Sequence, residues 1–240
     1  MKLLKGETGI YLHTLLRSFG TSMVGIFIPL YVYKLTGELK SAFLFFGLYH
    51  LLVLLSVLPA GWIIQKIGVD WGSAIGTIFR ALFLFFLILG KNNIFFLGLA
   101  GAFWGITISF CWLPFHYTVI GAEDGDGHFG KETSWIKIFE KIASGLGPFF
   151  GGLIIVELGF NWLYGLAIFF VLLGGIPVFL DNFRKKGMHF DIGRIGKSFL
   201  QKENRKFVIA FAGQGLKSVV LNTAWPLYIF LIIRKYEVIG

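Results

Sequence analysis

Ile28-Pro29-Leu30-Tyr31-Val32-Tyr33 stands near the end of the first long apolar stretch of this chain, and Trp225-Pro226-Leu227-Tyr228-Ile229-Phe230 stands at the same place in the last. Five further apolar stretches separate them, so the last is the seventh. A seventh hydrophobic segment that repeats the first points to a duplicated helical bundle at the start of its second copy. The repeat is only six residues long, so the surrounding sequence has to carry the reading.

Composition points the same way. Of 240 residues, 56% are hydrophobic and 15% charged, whereas a soluble domain holds about 25% charged residues. Phe alone contributes 28 residues. The formal net charge of +9 sits in the gaps between apolar runs. The tendency of cytoplasmic loops to retain Lys and Arg accounts for it, and no basic stripe crosses a polar domain as nucleic-acid binding would require. The single cysteine, Cys111, makes no intrachain disulfide, and no Cys/His cluster has metal-ligand spacing. Lys2 and Lys5 precede the first apolar run as they would in a signal peptide. That run is too long, lacks a small-residue cleavage site and is followed by six more, so it reads as a retained span.

About 20 apolar residues in a helix cross a bilayer core. Seven stretches qualify, at roughly 10–33, 40–66, 72–90, 94–120, 133–157, 160–180 and 207–233. None alternates with period two, and backbone groups in lipid must pair within the span, so the expected fold is all-α: a polytopic transmembrane helical bundle. The breaks are Thr36-Gly37-Glu38, Gly68-Val69-Asp70, Lys91-Asn92-Asn93, the acidic segment from Gly121 to Gly130, and a tight Leu158-Gly159 turn. Trp71, Trp135 and Trp162 lie at run ends, where amphipathic rings favour the interface.

Residues 181–206 form the one long polar segment, with Arg184, Lys185, Lys186, Arg194, Lys197, Lys202, Arg205 and Lys206 against Asp181, Asp191 and Glu203. It reads as a basic cytoplasmic linker between a six-helix bundle at 1–180 and the first helix of a second bundle at 207–240, and it also suits anionic lipid headgroups. With the N-terminus inside, twelve Lys and Arg outside the helices face the cytoplasm and five face outward, the latter including Arg234 and Lys235. That bias expects the N-terminus and the linker on the cytoplasmic side of a plasma or inner membrane. The chain stops soon after the seventh span, which leads us to expect the front portion of a longer protein or a truncated frame.

Two motifs then carry a family resemblance. Gly61-Trp62-Ile63-Ile64-Gln65-Lys66-Ile67-Gly68 stands between the second and third spans. It resembles the G-x-x-x-D-R-x-G loop of the major facilitator superfamily. Gly61, Lys66 and Gly68 fit; Gln65 replaces the acid, so the usual charge pairing cannot form in its standard version. In the fifth span, Ala143-Ser144-Gly145-Leu146-Gly147-Pro148-Phe149-Phe150-Gly151-Gly152 is similar to the G-x-x-x-G-P-x-x-G-G element of many antiporters of that family, with Ala143 in the first Gly position. Ala143, Gly147 and Gly151 recur on one face as a small-xxx-small packing surface, and Pro148 can bend the helix.

Ionisable groups in hydrocarbon cost several kcal/mol and each needs an account. Arg17 lies in the first span and Lys217 in the seventh. Superposing the two Pro-Leu-Tyr elements sets Gln214 opposite Arg17. The resemblance implies that the first, fourth and seventh helices line a central cavity, which makes Arg17, Gln214, Lys217 and Asn222 candidates to face a solute, along with Trp112 and His116 of the fourth span. Snorkelling of Arg17 and Lys217 to headgroups is the structural alternative. Glu140, with Lys141 at the opening of the fifth helix, is read as a partner for Arg17 or Lys217 or as a carrier of a coupling proton. Arg80 and His50 are read as structural, with the third helix peripheral.

No G-x-S-x-G, H-E-x-x-H or phosphate loop occurs. The expectation is therefore not an enzyme and needs no cofactor. The resemblance implies a secondary transporter moving a small solute by alternating access, coupled to protons and tilted toward efflux or antiport, and completed by the rest of a second bundle. A non-transporting membrane scaffold or sensor, or a truncated non-functional half, is the alternative.

Overall fold

The computed structural model describes residues 6–121, 129–180 and 201–236, with residues 191, 193, 195, 197 and 198 between them. Most of the expected linker, including Arg184, Lys185, Lys186 and Arg194, lies outside the described residues. The described chain is helical throughout, without a strand, and seven of its helical stretches are long and apolar enough to cross a membrane.

The first span is two helices in tandem, α1 (Gly6–Gly25) and α2 (Ile28–Thr36). Pro29 has no N–H to offer the Gly25 carbonyl four residues back, so the winding is interrupted there. Phe27 N–H turns instead to the Val24 carbonyl at 2.9 Å, and Tyr31 N–H restarts the ladder on Phe27 at 2.9 Å. Gly37 then ends the span at φ 72°, its N–H donating to Tyr33. The second and third spans are α3 (Leu39–Ile67) and α4 (Val69–Leu89). Here the expected three-residue break shrinks to Gly68 alone. Val69 is buried and Asp70 sits in the first turn of α4, where an acid complements the helix dipole.

The fourth to sixth spans are α5 (Phe95–Gly121), α6 (Phe129–Glu157) and α7 (Phe160–Leu180). Because α6 begins at Phe129, Glu140 and Lys141 stand well inside it and do not open it. Gly159, at φ 87°, makes the turn into α7. The seventh span runs through a 3-10 turn at Lys202–Asn204, α8 (Arg205–Val219), a π-helical turn at Val220–Ala224 and α9 (Trp225–Ile233). Pro226 meets the same missing-donor problem as Pro29, and here the helix widens by one residue where the first span had broken.

α1 packs on α6 and α7, α5 packs on α3 and α4, and α4 packs on α7. Exchanging the first three spans for the next three leaves this pattern unchanged, as in a bundle built from two three-helix units inverted relative to each other. In this pattern the third span, expected at the periphery, packs on the fourth and the sixth. The main core gathers Met23, Val24, Phe27, Phe83, Leu84, Leu163 and Tyr164. Lipid tails are as apolar as these side chains, so close packing and interhelical hydrogen bonds hold the helices together. Ser22 Oγ of α1 donates to the Ala143 carbonyl of α6 at 2.7 Å, Tyr31 of α2 donates to the Leu87 carbonyl of α4 at 3.1 Å, and the Ser56 and Ser109 hydroxyls join α3 to α5 at 2.8 Å. Trp71, Trp135 and Trp162 are all exposed near helix ends.

Candidate functional site

α1 carries His13 and Arg17 four residues apart, hence on one face. His13 Nδ1 donates to the Gly174 carbonyl of α7 at 2.6 Å. The approach is close there: a Cβ on Gly174 would stand 3.0 Å from the Arg17 backbone nitrogen and 3.2 Å from Leu16 Cβ. On the next residue, a Cβ on Gly175 would stand 3.0 Å from Thr77 Cγ2 of α4. The adjacent glycines thus let α7 lie against α1 on one side and α4 on the other. Arg80, one turn beyond Thr77, is 8% exposed.

The Arg17 guanidinium lies over the Phe115 ring of α5, 5.8 Å from its centroid. Arg17 and Arg80 act electrostatically on each other and on His13, and Cys111 and Glu140 act on Arg17. Neither arginine makes an ion pair or a hydrogen bond among the described residues. Sequence reasoning named Arg17 but passed over His13 and set Arg80 aside as structural. Two cationic residues and a histidine at related depths of different spans were the available signal, but nothing in one sequence says that the faces meet.

Glu140 does not pair with Arg17 or Lys217. Its partner is Lys137, at 2.7 Å and one turn earlier on α6, a neighbour that needs no tertiary contact. Lys141 is exposed. Trp112 and His116 come together, their rings stacked at 5.1 Å, but on the exposed side of α5, whereas Phe115 between them turns toward Arg17. Gln214, Lys217 and Asn222 are exposed, α8 buries none of its residues, and Asn222 bonds Ser218 at 2.9 Å within its own helix. The structure therefore does not bring these three onto Arg17.

The two motifs act through their glycines. At the loop, Gly68 adopts φ 94° and ψ 162°, with its N–H on the Ile64 carbonyl at 2.8 Å, while Lys66 folds over the Trp62 ring at 3.5 Å. Gly61 is buried and Gln65 exposed. The Gly68 conformation is nearly closed to residues with a Cβ. Gly68→Ala is expected to destabilise the protein by about 1–3 kcal/mol, read as a lower melting temperature in detergent; an unchanged melt would contradict this. In α6, Ala143, Gly147 and Gly151 face α1. A Cβ on Gly147 would stand 2.8 Å from Ser22 Cβ and 2.9 Å from Met23 N, and one on Gly151 would press on the Met23 carbonyl and stand 2.9 Å from the Phe27 ring. Pro148 lies inside the helix without ending it, and Gly152 is buried beside Gly151.

Residues 10–234 match the sequence model of the Major Facilitator Superfamily. No curated protein and no solved structure matches the chain.

Proposed function

The chain belongs to the Major Facilitator Superfamily, and from that premise we propose that it works as a secondary active transporter, carrying a small solute by alternating access and coupled to protons in the direction of efflux or antiport. Its membership makes it a membrane transporter, and the family match over residues 10–234 carries the reading. In this proposal residues 1–180 are one rocking bundle, 181–206 the basic linker on the cytoplasmic side beside anionic lipid, and 207–240 the first helix of the second bundle in the plasma membrane.

Two local features support the finer reading. The seam between α1 and α6 is close enough for backbone to meet backbone at Gly147 and Gly151, which suits a body that moves as a unit. The winding also changes just before each Pro-Leu-Tyr element, at Ile26-Phe27 and at Val220–Ala224, where a helix can bend.

The test is counterflow in liposomes containing the full chain, with a panel of neutral, cationic and anionic solutes and an imposed proton gradient. We expect saturable exchange of at least one solute, accelerated by the gradient, and its loss in Arg17→Gln at unchanged expression. Absence of exchange across the panel would overturn the transport reading in favour of a scaffold. Exchange indifferent to the gradient would overturn the proton coupling, and normal exchange in Arg17→Gln would remove Arg17 from the solute path.

A further inference from the structure

We infer that His13, Arg17 and Arg80 form a receptor for one oxyanion, a carboxylate or phosphoryl group, carried by the transported solute. The inference rests on the transport reading above and adds the class of substrate.

Four helices converge on this place. The Gly174-Gly175 pair seats α7 against the Arg17 backbone and against Thr77, one turn before Arg80, while Phe115 brings α5 over the Arg17 guanidinium. The charge there is one-sided. Guanidinium groups keep their proton under all ordinary conditions, so burial cannot neutralise them. A buried charge is normally paired or hydrogen-bonded, and one left without a partner is strongly unfavourable. As a residue Arg80 is nine-tenths buried, and it has no ion pair or hydrogen bond among the described residues, while its guanidinium nitrogens are not among the sealed polar atoms and so keep an opening toward a ligand; Arg17, half-buried, meets the Phe115 face and the Cys111 thiol. Two groups act on Arg17 in the opposite sense: Cys111 is a thiol and no carboxylate, and Glu140 already has Lys137 at 2.7 Å, so that pair adds no net charge.

A purely structural arginine inside a bundle would be expected to hold a carboxylate or a carbonyl. Two without either leave a site whose missing component is negative. Guanidinium donors match the paired oxygens of carboxylate and phosphate, which favours an oxyanion over a halide. His13 strengthens the case. Its Nδ1 is committed to the Gly174 carbonyl, which orients the ring and leaves Nε2 for a second partner. A cationic solute would meet repulsion from both arginines, and a neutral one would leave them uncompensated.

The probes are radiolabelled inorganic phosphate and succinate, with tetraethylammonium as the cationic control. Binding is measured on the full chain in vesicles of phosphatidylcholine alone and in vesicles with added phosphatidylglycerol. We expect saturable binding of at least one anion and none of tetraethylammonium. Arg17→Gln and Arg80→Gln should each weaken binding about tenfold or more, and Arg80→Lys less, because the charge is kept and the fork is lost. Should Arg80→Gln fail to fold, phenylglyoxal labelling of the unaltered protein reads the same site: the bound anion should protect Arg17 and Arg80 more than the exposed Arg205 and Arg234.

No saturable anion binding, or anion binding that neither variant weakens and that protects neither arginine, overturns the inference. Suppression of anion binding by phosphatidylglycerol overturns the solute assignment and gives the site to a lipid headgroup. The two readings fail separately: counterflow of a neutral or cationic solute without anion binding keeps the transporter and discards the receptor, whereas anion binding without flux of any solute discards transport, and with it the solute assignment, and leaves an anion site.

Discussion

Gly151→Leu should leave little folded protein, and Gly151→Ala alone should lower the stability of the bundle by about 1–3 kcal/mol, the usual effect of forcing atoms into a filled core. The added Cβ has nowhere to go, since it presses on the Met23 carbonyl and stands 2.9 Å from a ring carbon of the fully buried Phe27. Neither the backbone of α1 nor a ring locked in the core can step aside as the tip of a flexible side chain could. Gly147→Ala should behave similarly, because Ser22 Cβ would be 2.8 Å away and the Ser22 bond to the Ala143 carbonyl would be pushed apart. Gly145 provides the control on the same helix. A Cβ there meets nothing within 4 Å, so Gly145→Ala should be neutral or raise stability by about 0.5–1 kcal/mol through helix propensity. Fluorescence-detected gel filtration and thermal unfolding in one detergent measure all three. Equal melting of the Gly151 and Gly145 variants would show that the α1–α6 seam is looser than described.

Arg80→Met should act in the opposite sense on stability. A mostly buried arginine without a carboxylate is a standing penalty even where its tip is not sealed, and replacing buried charges with well-packed apolar side chains of similar volume often stabilises by about 1–4 kcal/mol. Methionine is unbranched and adaptable enough to take the place of the Arg80 stem on α4. The expected result is a higher melting temperature together with loss of anion binding and of flux, the pattern of a residue kept for activity at the expense of stability. Bound phosphate or succinate should raise the melting temperature of the unaltered protein and leave that of Arg80→Met unchanged. A drop in melting temperature for Arg80→Met would mean that Arg80 holds the bundle together, and the receptor would have to be rebuilt without it.

Much of the fold was legible because hydrocarbon makes strong demands. Uninterrupted apolar runs locate the seven spans within a few residues of those observed, and Gly37, Gly68 and Gly159, which adopt positive φ, all lie in breaks read from the sequence. The small-residue stripe Ala143, Gly147 and Gly151 was also legible as a packing face, although its partner on α1 was not. The acid at 140 misled because a neighbour one helical turn away was overlooked in favour of distant cations. The grouping of His13 with Arg80 could not be read, because it depends on which faces of α1, α4 and α7 meet. Gly174 and Gly175 allow that close approach, and their role is visible only once the helices are in contact. The loop between α3 and α4 was overdrawn because Asp70 looks like a solvent-facing break, whereas an acid in a first turn is compatible with a helix that has already begun.

The widened turn at Val220–Ala224 has one more effect. A π-type turn adds a residue to the winding, and each residue of an ordinary helix turns the chain by about 100°. Below Pro226 the azimuth of every side chain is therefore offset from that of its counterpart below Pro29, where the chain instead tightens onto Val24. The alignment that sets Gln214 against Arg17 keeps the height of the two residues along their axes but loses their bearing. Equal depth in the first and seventh spans thus gives different compass directions, so two like sequence elements can present unlike faces.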